Sequence, residues 1–144
     1  MAGTIKGYVP GVFDLFHIGH LTMLRQAREH CDLLVAGVVS DEMCEAAKGL
    51  KPAVPLAERL EIVGAIGIVD DTYVETTPDK RDAWRAVGFD VLFKGDDWKG
   101  TPKGDRLEDL MAEVGVRVEY FPYTAHTSST ALRAMIARAE ARSQ

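Results

Sequence analysis

Apolar positions along this chain change their spacing in a regular alternation. Short contiguous runs at residues 5–9, 33–39, 72–75, 91–94 and 116–121 predict strands. The run at 33–39 is apolar throughout, which suits a central strand of a parallel sheet, buried on both faces. Between the runs, apolar residues return every three or four positions. Leu21, Leu24, Ala27 and Cys31 place a helix from His17 or Ile18 to about residue 30, and Leu56, Leu60, Val63 and Ile66 place another that ends at Gly64 or Gly67. A short helix over 42–47 is capped by Ser40 or Asp41, and one over 79–87 is terminated by Gly88. A Gly/Pro/Lys loop over 99–104 leads to a helix over about 106–114, and a last helix starts at Ser129 or Thr130. Residues 48–55 carry Gly49, Pro52 and Pro55 and break the helical pattern.

Strand alternating with helix five times predicts an α/β fold: a Rossmann-like, doubly wound sheet of about five parallel strands with helices on both faces. Ligands bind such sheets outside the carboxyl ends of the strands. Three stretches follow strands directly and are expected to converge there: the turn at His17, residues 95–98, and the turn at 127–130. At 144 residues, without internal repeat or linker, the chain reads as one domain, 1–144.

Composition narrows the partners. The chain is 47% hydrophobic and 27% charged, ordinary for a soluble protein. A formal charge of −5 argues against a nucleic-acid partner, which would want a basic face, but leaves room for a small anion at a local cluster of cations. No run approaches the roughly 20 apolar residues that span a membrane, and no signal-peptide pattern opens the sequence. Cys31 and Cys44, without metal or redox spacing, read as reduced thiols, so the cytoplasm is the expected compartment.

The candidate chemistry centres on Gly11-Val12-Phe13-Asp14-Leu15-Phe16-His17-Ile18-Gly19-His20, at the passage from first strand to first helix. A helix N-terminus presents unpaired N–H groups and partial positive charge to anions. His17 and His20, three apart, share one face of that helix, and Gly19 keeps no side chain between backbone and ligand. A histidine at such a place commonly serves only as a cap or a surface residue. The whole segment, however, resembles the signature of the HxGH cytidylyltransferase-like nucleotidyltransferases. The resemblance implies transfer of a nucleoside monophosphate from a triphosphate to an acceptor phosphate, with pyrophosphate released. It makes His17 and His20 catalytic and places Gly11, Phe13, Asp14 and Gly19 around the nucleotide.

Three further stretches carry weight. Thr127, Ser128, Ser129, Thr130 and Arg133 open the last helix; one hydroxyl would suffice as a cap, while four suit phosphate oxygens. They resemble the superfamily's second motif, ISSTxxR, with Thr127 in the isoleucine position, which implies contact of 128–130 with the triphosphate. Lys48, Lys51 and Arg59 surround the Gly/Pro loop and, if not simply solvated, provide the cations that two imidazoles lack. By resemblance Lys48 is catalytic and Arg59 approaches the phosphates. Lys94-Gly95-Asp96-Asp97-Trp98 could be a mere turn; it resembles the Gly-Asp-Asp-Trp of glycerol-3-phosphate cytidylyltransferases, where Gly95, Asp96 and Asp97 would read base or ribose and Trp98 would stack on the ligand.

Gly67 and Tyr123 stand where those enzymes carry arginines, and His126 stands where they carry glycine. The 48–59 segment is also similar to heptose-1-phosphate adenylyltransferases. The reading is a cytidylyltransferase that forms a CDP-alcohol from CTP and a glycerol 3-phosphate-like acceptor. Adenylyl transfer from ATP to a sugar 1-phosphate and cytidylyl transfer to a phosphonate are the alternatives. Mg²⁺ is expected with the triphosphate, Asp14 being the nearest carboxylate but without a dedicated protein metal site, and a homodimer is usual for such enzymes.

Overall fold

The computed structural model describes residues 3–122 and 126–143. Its elements run β1 (Lys6–Gly11), α1 (Ile18–Arg28), β2 (Leu33–Val39), α2 (Asp41–Lys48), α3 (Leu56–Gly64), β3 (Asp71–Glu75), α4 (Lys80–Val87), β4 (Val91–Gly95), a 3₁₀ turn (Asp96–Trp98), α5 (Pro102–Ala112), β5 (Arg117–Phe121) and α6 (Ser129–Arg142). All four strand pairings are parallel, in the order β3-β2-β1-β4-β5. This is the Rossmann-like arrangement expected. Its order reverses between β1 and β4, the place where such sheets bind ligands.

Each face carries its own core. Leu24 and Ala27 of α1 and Val63 of α3 pack on Val9, Leu34, Ala36, Val38, Val91 and Phe93. On the other face Ala83 of α4 and Leu107 and Met111 of α5 cover Tyr8, Val35 and Leu92. The alternation of β1 explains the division, because Tyr8 points to one face and Val9 to the other.

The chain ends its elements with local chemistry. Ser40 Oγ accepts from the Met43 amide 3.2 Å away to start α2, and Gly49 closes it with φ 79°. Asp79 caps α4, and Gly88, with φ 73°, ends it. The helix expected from about residue 106 begins instead at Pro102. Thr101 Oγ1 accepts from the Gly104 amide and proline takes the first helical turn, where its missing N–H is no loss. Gly104 is required here for space, since a Cβ on it would overlap the Trp98 carbonyl.

β1 pairs with β2 as far as Gly11–Val38, but its pairing with β4 stops at Tyr8–Leu92. Pro10, two residues on, has no N–H with which to continue that ladder. The two central strands therefore part near their carboxyl ends, and the candidate site lies above this parting.

Candidate active site

The turn after β1 is held in an unusual backbone shape. Phe13 and Leu15 adopt φ of 55° and 52°, a region that costs a non-glycine residue roughly 1–2 kcal/mol. Between them Asp14 is 1% exposed and holds the turn in place. Its carboxylate accepts from the amides of Ala53 (2.8 Å) and Val54 (2.9 Å) and from Arg133 Nη1 (2.9 Å). Burial raises the Asp14 pKa, but the two amides and Arg133 outweigh it and hold the carboxyl below the usual carboxylate range. Phe13 is buried against Phe16 and His20, and Gly11 leaves the room its ring occupies.

His17 and His20 stand together at the start of α1, ring centroids 4.0 Å apart. His17 Nδ1 accepts from the Gly19 amide at 3.0 Å, and His20 Nδ1 accepts from the His17 amide at 3.1 Å. The two imidazoles thus form a capping box of their own. Those two amides are spent on the histidines and not left for an anion, which corrects the simpler expectation for this helix end. The effect reaches the ligand side all the same. With Nδ1 accepting, a neutral imidazole carries its proton on Nε2, and neither Nε2 has a protein partner among the described residues. Burial lowers the His20 pKa to about 4, His17 lowering it further against the pull of Asp14; burial lowers that of His17 as well. At neutral pH the site offers two uncharged N–H donors.

Motif two meets motif one directly. Ser128 Oγ caps α6 by accepting from the Ala131 amide at 3.0 Å, and Ser129 Oγ donates to the Asp14 carbonyl. The Ser129 and Thr130 amides carry no hydrogen bond among the described residues, so they remain available at a helix N-terminus. Thr130 is exposed and Thr127 half-buried beside them. Arg133 of the same motif is tied to Asp14. His126 is exposed, Gly67 stands in open space, and Tyr123 lies outside the described residues.

Arg59 takes a different post from the one expected. It is 1% exposed, and its guanidinium donates to the Val54, Val12 and Val39 carbonyls at 2.8, 2.6 and 2.8 Å and to Asp41 Oδ1 at 2.6 Å. It braces the ends of β1 and β2 against α2 and the 48–55 loop. Four of its five N–H groups are engaged there on the protein's own oxygens. Lys48 remains exposed at the end of α2.

The 95–98 stretch forms the opposite rim. Gly95 ends β4, a Cβ there would crowd Asp97 Oδ1, and Asp96 and Asp97 are exposed. Trp98, expected to stack on the ligand, instead packs against the second core, with the Lys94 ammonium 4.1 Å from its ring centroid. No local sequence signal gives Lys94 a role, and none marks Tyr8, Glu75 and Lys80, whose hydrogen bonds at this end of the sheet join residues up to 67 positions apart.

The family model described as cytidylyltransferase-like matches residues 8–138. The chain is 36% identical over 140 residues to the bifunctional protein HldE of Hyphomonas neptunium, covering 96% of this chain and 28% of that protein. It is 37% identical over 131 residues to the ethanolamine-phosphate cytidylyltransferase of Arabidopsis thaliana, covering 88% of this chain and 31% of the relative. The chain therefore spans about a third or less of the length of these two relatives. Among solved structures, a lipopolysaccharide core biosynthesis protein from Thermoplasma volcanium shares the fold with a TM-score of 0.72 at 22% identity, over 87% of this chain and all of that one. The strained turn around Asp14, the paired imidazoles and the serine-capped start of the last helix lie within the residues that the family model matches, and the chain belongs to the cytidylyltransferase-like family of nucleotidyltransferases.

Proposed function

We propose that this chain transfers CMP from CTP to a small phosphorylated alcohol, releasing pyrophosphate and forming a CDP-alcohol. The observation that carries the reading is the pair of neutral imidazoles, each with Nδ1 held by backbone and Nε2–H left to donate, beside the free amides of α6. An acceptor phosphate oxygen attacks the α-phosphorus in line and pyrophosphate leaves from the opposite side. The chemistry needs no covalent intermediate, so catalysis is positioning and stabilisation of charge developing on the phosphates. The Nε2–H groups of His17 and His20 donate to the α- and bridging oxygens. Lys48 neutralises the leaving pyrophosphate, and Ser129 and Thr130 with their amides hold the remaining oxygens.

Gly11, Phe13, Asp14, Gly19 and Arg59 serve the nucleotide indirectly, by shaping the turn. Gly95, Asp96 and Asp97 are placed to read the base or ribose. Both Asp14 oxygens are engaged by protein donors, so Asp14 is not placed to hold Mg²⁺, and an ion brought with the triphosphate would be held by the phosphates. Bound there, it would offset phosphate charge.

A second reading has its own support. The similarity of the 48–59 segment to heptose-1-phosphate adenylyltransferases favours adenylyl transfer from ATP to a sugar 1-phosphate. Pyrophosphate release measured with four nucleoside triphosphates against a panel of phosphorylated alcohols, sugar 1-phosphates and phosphonates separates the two. Activity confined to ATP removes the CTP reading, and absence of release with every pair removes both. The same reading carries a homodimer, which light scattering of the purified protein tests.

A further inference from the structure

The last helix is tied to the rest of the chain at one end. Among the described residues its hydrogen bonds to the body come from Ser129 and Arg133, and both end on Asp14. Leu132 is half-buried, every residue from Ala134 to Arg142 is exposed, and no side chain of α6 is buried in a single copy. A short helix draws most of its stability from a covered face, and this one has none beyond its first turns.

The face left open is apolar. Leu132, Met135, Ile136 and Ala139 follow the helical repeat and form one stripe. Met135 is 55% exposed and Ile136 45%. Scattered singly, such residues are ordinary; side by side along one helix they mark a contact surface. Arg133 and Glu140, seven positions apart, run along one edge of the stripe, and Arg138 and Arg142 along the other. Arg133 engages Asp14 through Nη1 alone, and the Glu140 carboxylate makes no hydrogen bond or ion pair among the described residues.

This pattern is complementary to itself. A two-fold axis beside Ile136 lays α6 antiparallel on α6 of a second copy, and each edge of the helix then meets the same edge reversed. Arg133 faces Glu140 of the second copy, and Glu140 faces its Arg133. On the other edge Arg138 and Arg142 fall opposite Met135 and Ala131 of the second copy, so no two arginines meet. Leu132 packs on Ala139 across the axis, and Ile136 on its own counterpart.

We propose that this stripe is the surface on which two copies of the chain pair, antiparallel along α6. The proposal rests on the homodimer of the preceding reading and assigns it an interface. It also joins assembly to the site, because the arginine that holds α6 on Asp14 pairs through its remaining N–H groups with Glu140 of the second copy.

Sedimentation equilibrium of the full chain tests it. The unaltered protein should be a dimer at micromolar concentration. Met135→Glu combined with Ile136→Glu should raise the dimer Kd about a hundredfold or more, four apolar side chains being lost from the pair. Glu140→Arg, which makes both symmetric contacts repulsive, should raise it about tenfold. None of these side chains is buried in one copy, so the variants should fold, and circular dichroism and thermal melts check this. Ile136→Cys should form an intermolecular disulfide on oxidation, and Ala134→Cys, on the opposite side of the helix, should give no more than the unaltered protein. A folded Met135→Glu, Ile136→Glu protein that stays dimeric overturns the interface and leaves the homodimer standing. A Glu140→Arg dimer as tight as the parent, or cross-linking through Ala134→Cys in place of Ile136→Cys, overturns the antiparallel pairing. A monomeric unaltered protein removes homodimer and interface together; if that monomer sediments with phosphatidylglycerol vesicles, the stripe belongs to a lipid surface. Nucleotidyl transfer is decided separately, by pyrophosphate release.

Discussion

Arg133 in the last helix donates to the buried carboxylate of Asp14 in the first turn, 2.9 Å away and 119 positions distant in sequence. That bond, with the one from Ser129 Oγ to the Asp14 carbonyl, fixes the start of α6 against the histidines. Aspartate here is less a ligand than a junction. It joins the β1 turn, the 48–55 loop and α6, the three parts that a triphosphate would have to bridge.

Asp14→Asn keeps the shape and disturbs the junction, because an amide cannot accept from two backbone N–H groups and a guanidinium with both its arms. A cost of about 2 kcal/mol is expected in denaturant titration, the scale for a hydrogen-bonded charge. The Asp14 pKa is depressed on folding, so its contribution is present above the ordinary carboxylate range and is lost as pH falls through the folded value. Unaltered protein and variant should therefore converge in stability towards acid pH. A stability gap that stays constant down to acid pH would refute the assignment.

The histidines give a pH signature. The folded His20 pKa, about 4, lies below the unfolded value near 6.5. Its contribution to stability is full above 6.5 and fades as pH falls towards 4. Because both imidazoles stay neutral, turnover should show no histidine limb near 6.5. Alanine at either position should lower kcat by about two to three orders of magnitude while triphosphate Kd moves far less, as for loss of one preorganised donor. A titration of rate with a midpoint near 6.5 would mean that the donors are imidazolium.

Arg59 separates a brace from a ligand. Arg59→Met removes the donors to three backbone carbonyls and leaves Asp41 without its partner, for an expected loss of about 3–5 kcal/mol in denaturant titration. The loss should appear with no nucleotide present. A folded variant of unaltered stability with weakened triphosphate binding would restore the phosphate role expected from sequence.

What the sequence showed and what it hid divide along the range of the interactions. The caps at Ser40 and Ser128 and the stop at Gly88 act within a few residues, and their residue types announced them. So did His17 and His20, three positions apart. The start of α5 was misplaced because Pro102 and Gly104 look like loop residues, although proline suits a first turn and Gly104 is there to clear the Trp98 carbonyl. Arg59 sits in an amphipathic helix where an arginine normally faces water. Only the assembled sheet brings the Val12 and Val39 carbonyls to it. Lys94 and Glu75 came from separate strands with nothing local to link them, and Tyr8 reads simply as a buried strand residue.

Lys48 stands at the entrance of the loop over residues 48–55, which leads from α2 to α3. The structure divides it. The Ala53 and Val54 amides are bonded to Asp14, while residues 49–51 are exposed and Gly49 ends α2 in the left-handed conformation that glycine adopts without strain. Without triphosphate, amide exchange should be fast at 49–51 and slow at Ala53 and Val54. Adding triphosphate should protect 49–51 as Lys48 is drawn to the phosphates, and leave the already slow pair nearly unchanged. Asp14→Asn should release Ala53 and Val54 in the free protein without altering the other amides of the loop. If triphosphate slows exchange at no position in 49–51, Lys48 does not close on the leaving group, and the loop serves only to carry the chain from α2 to α3.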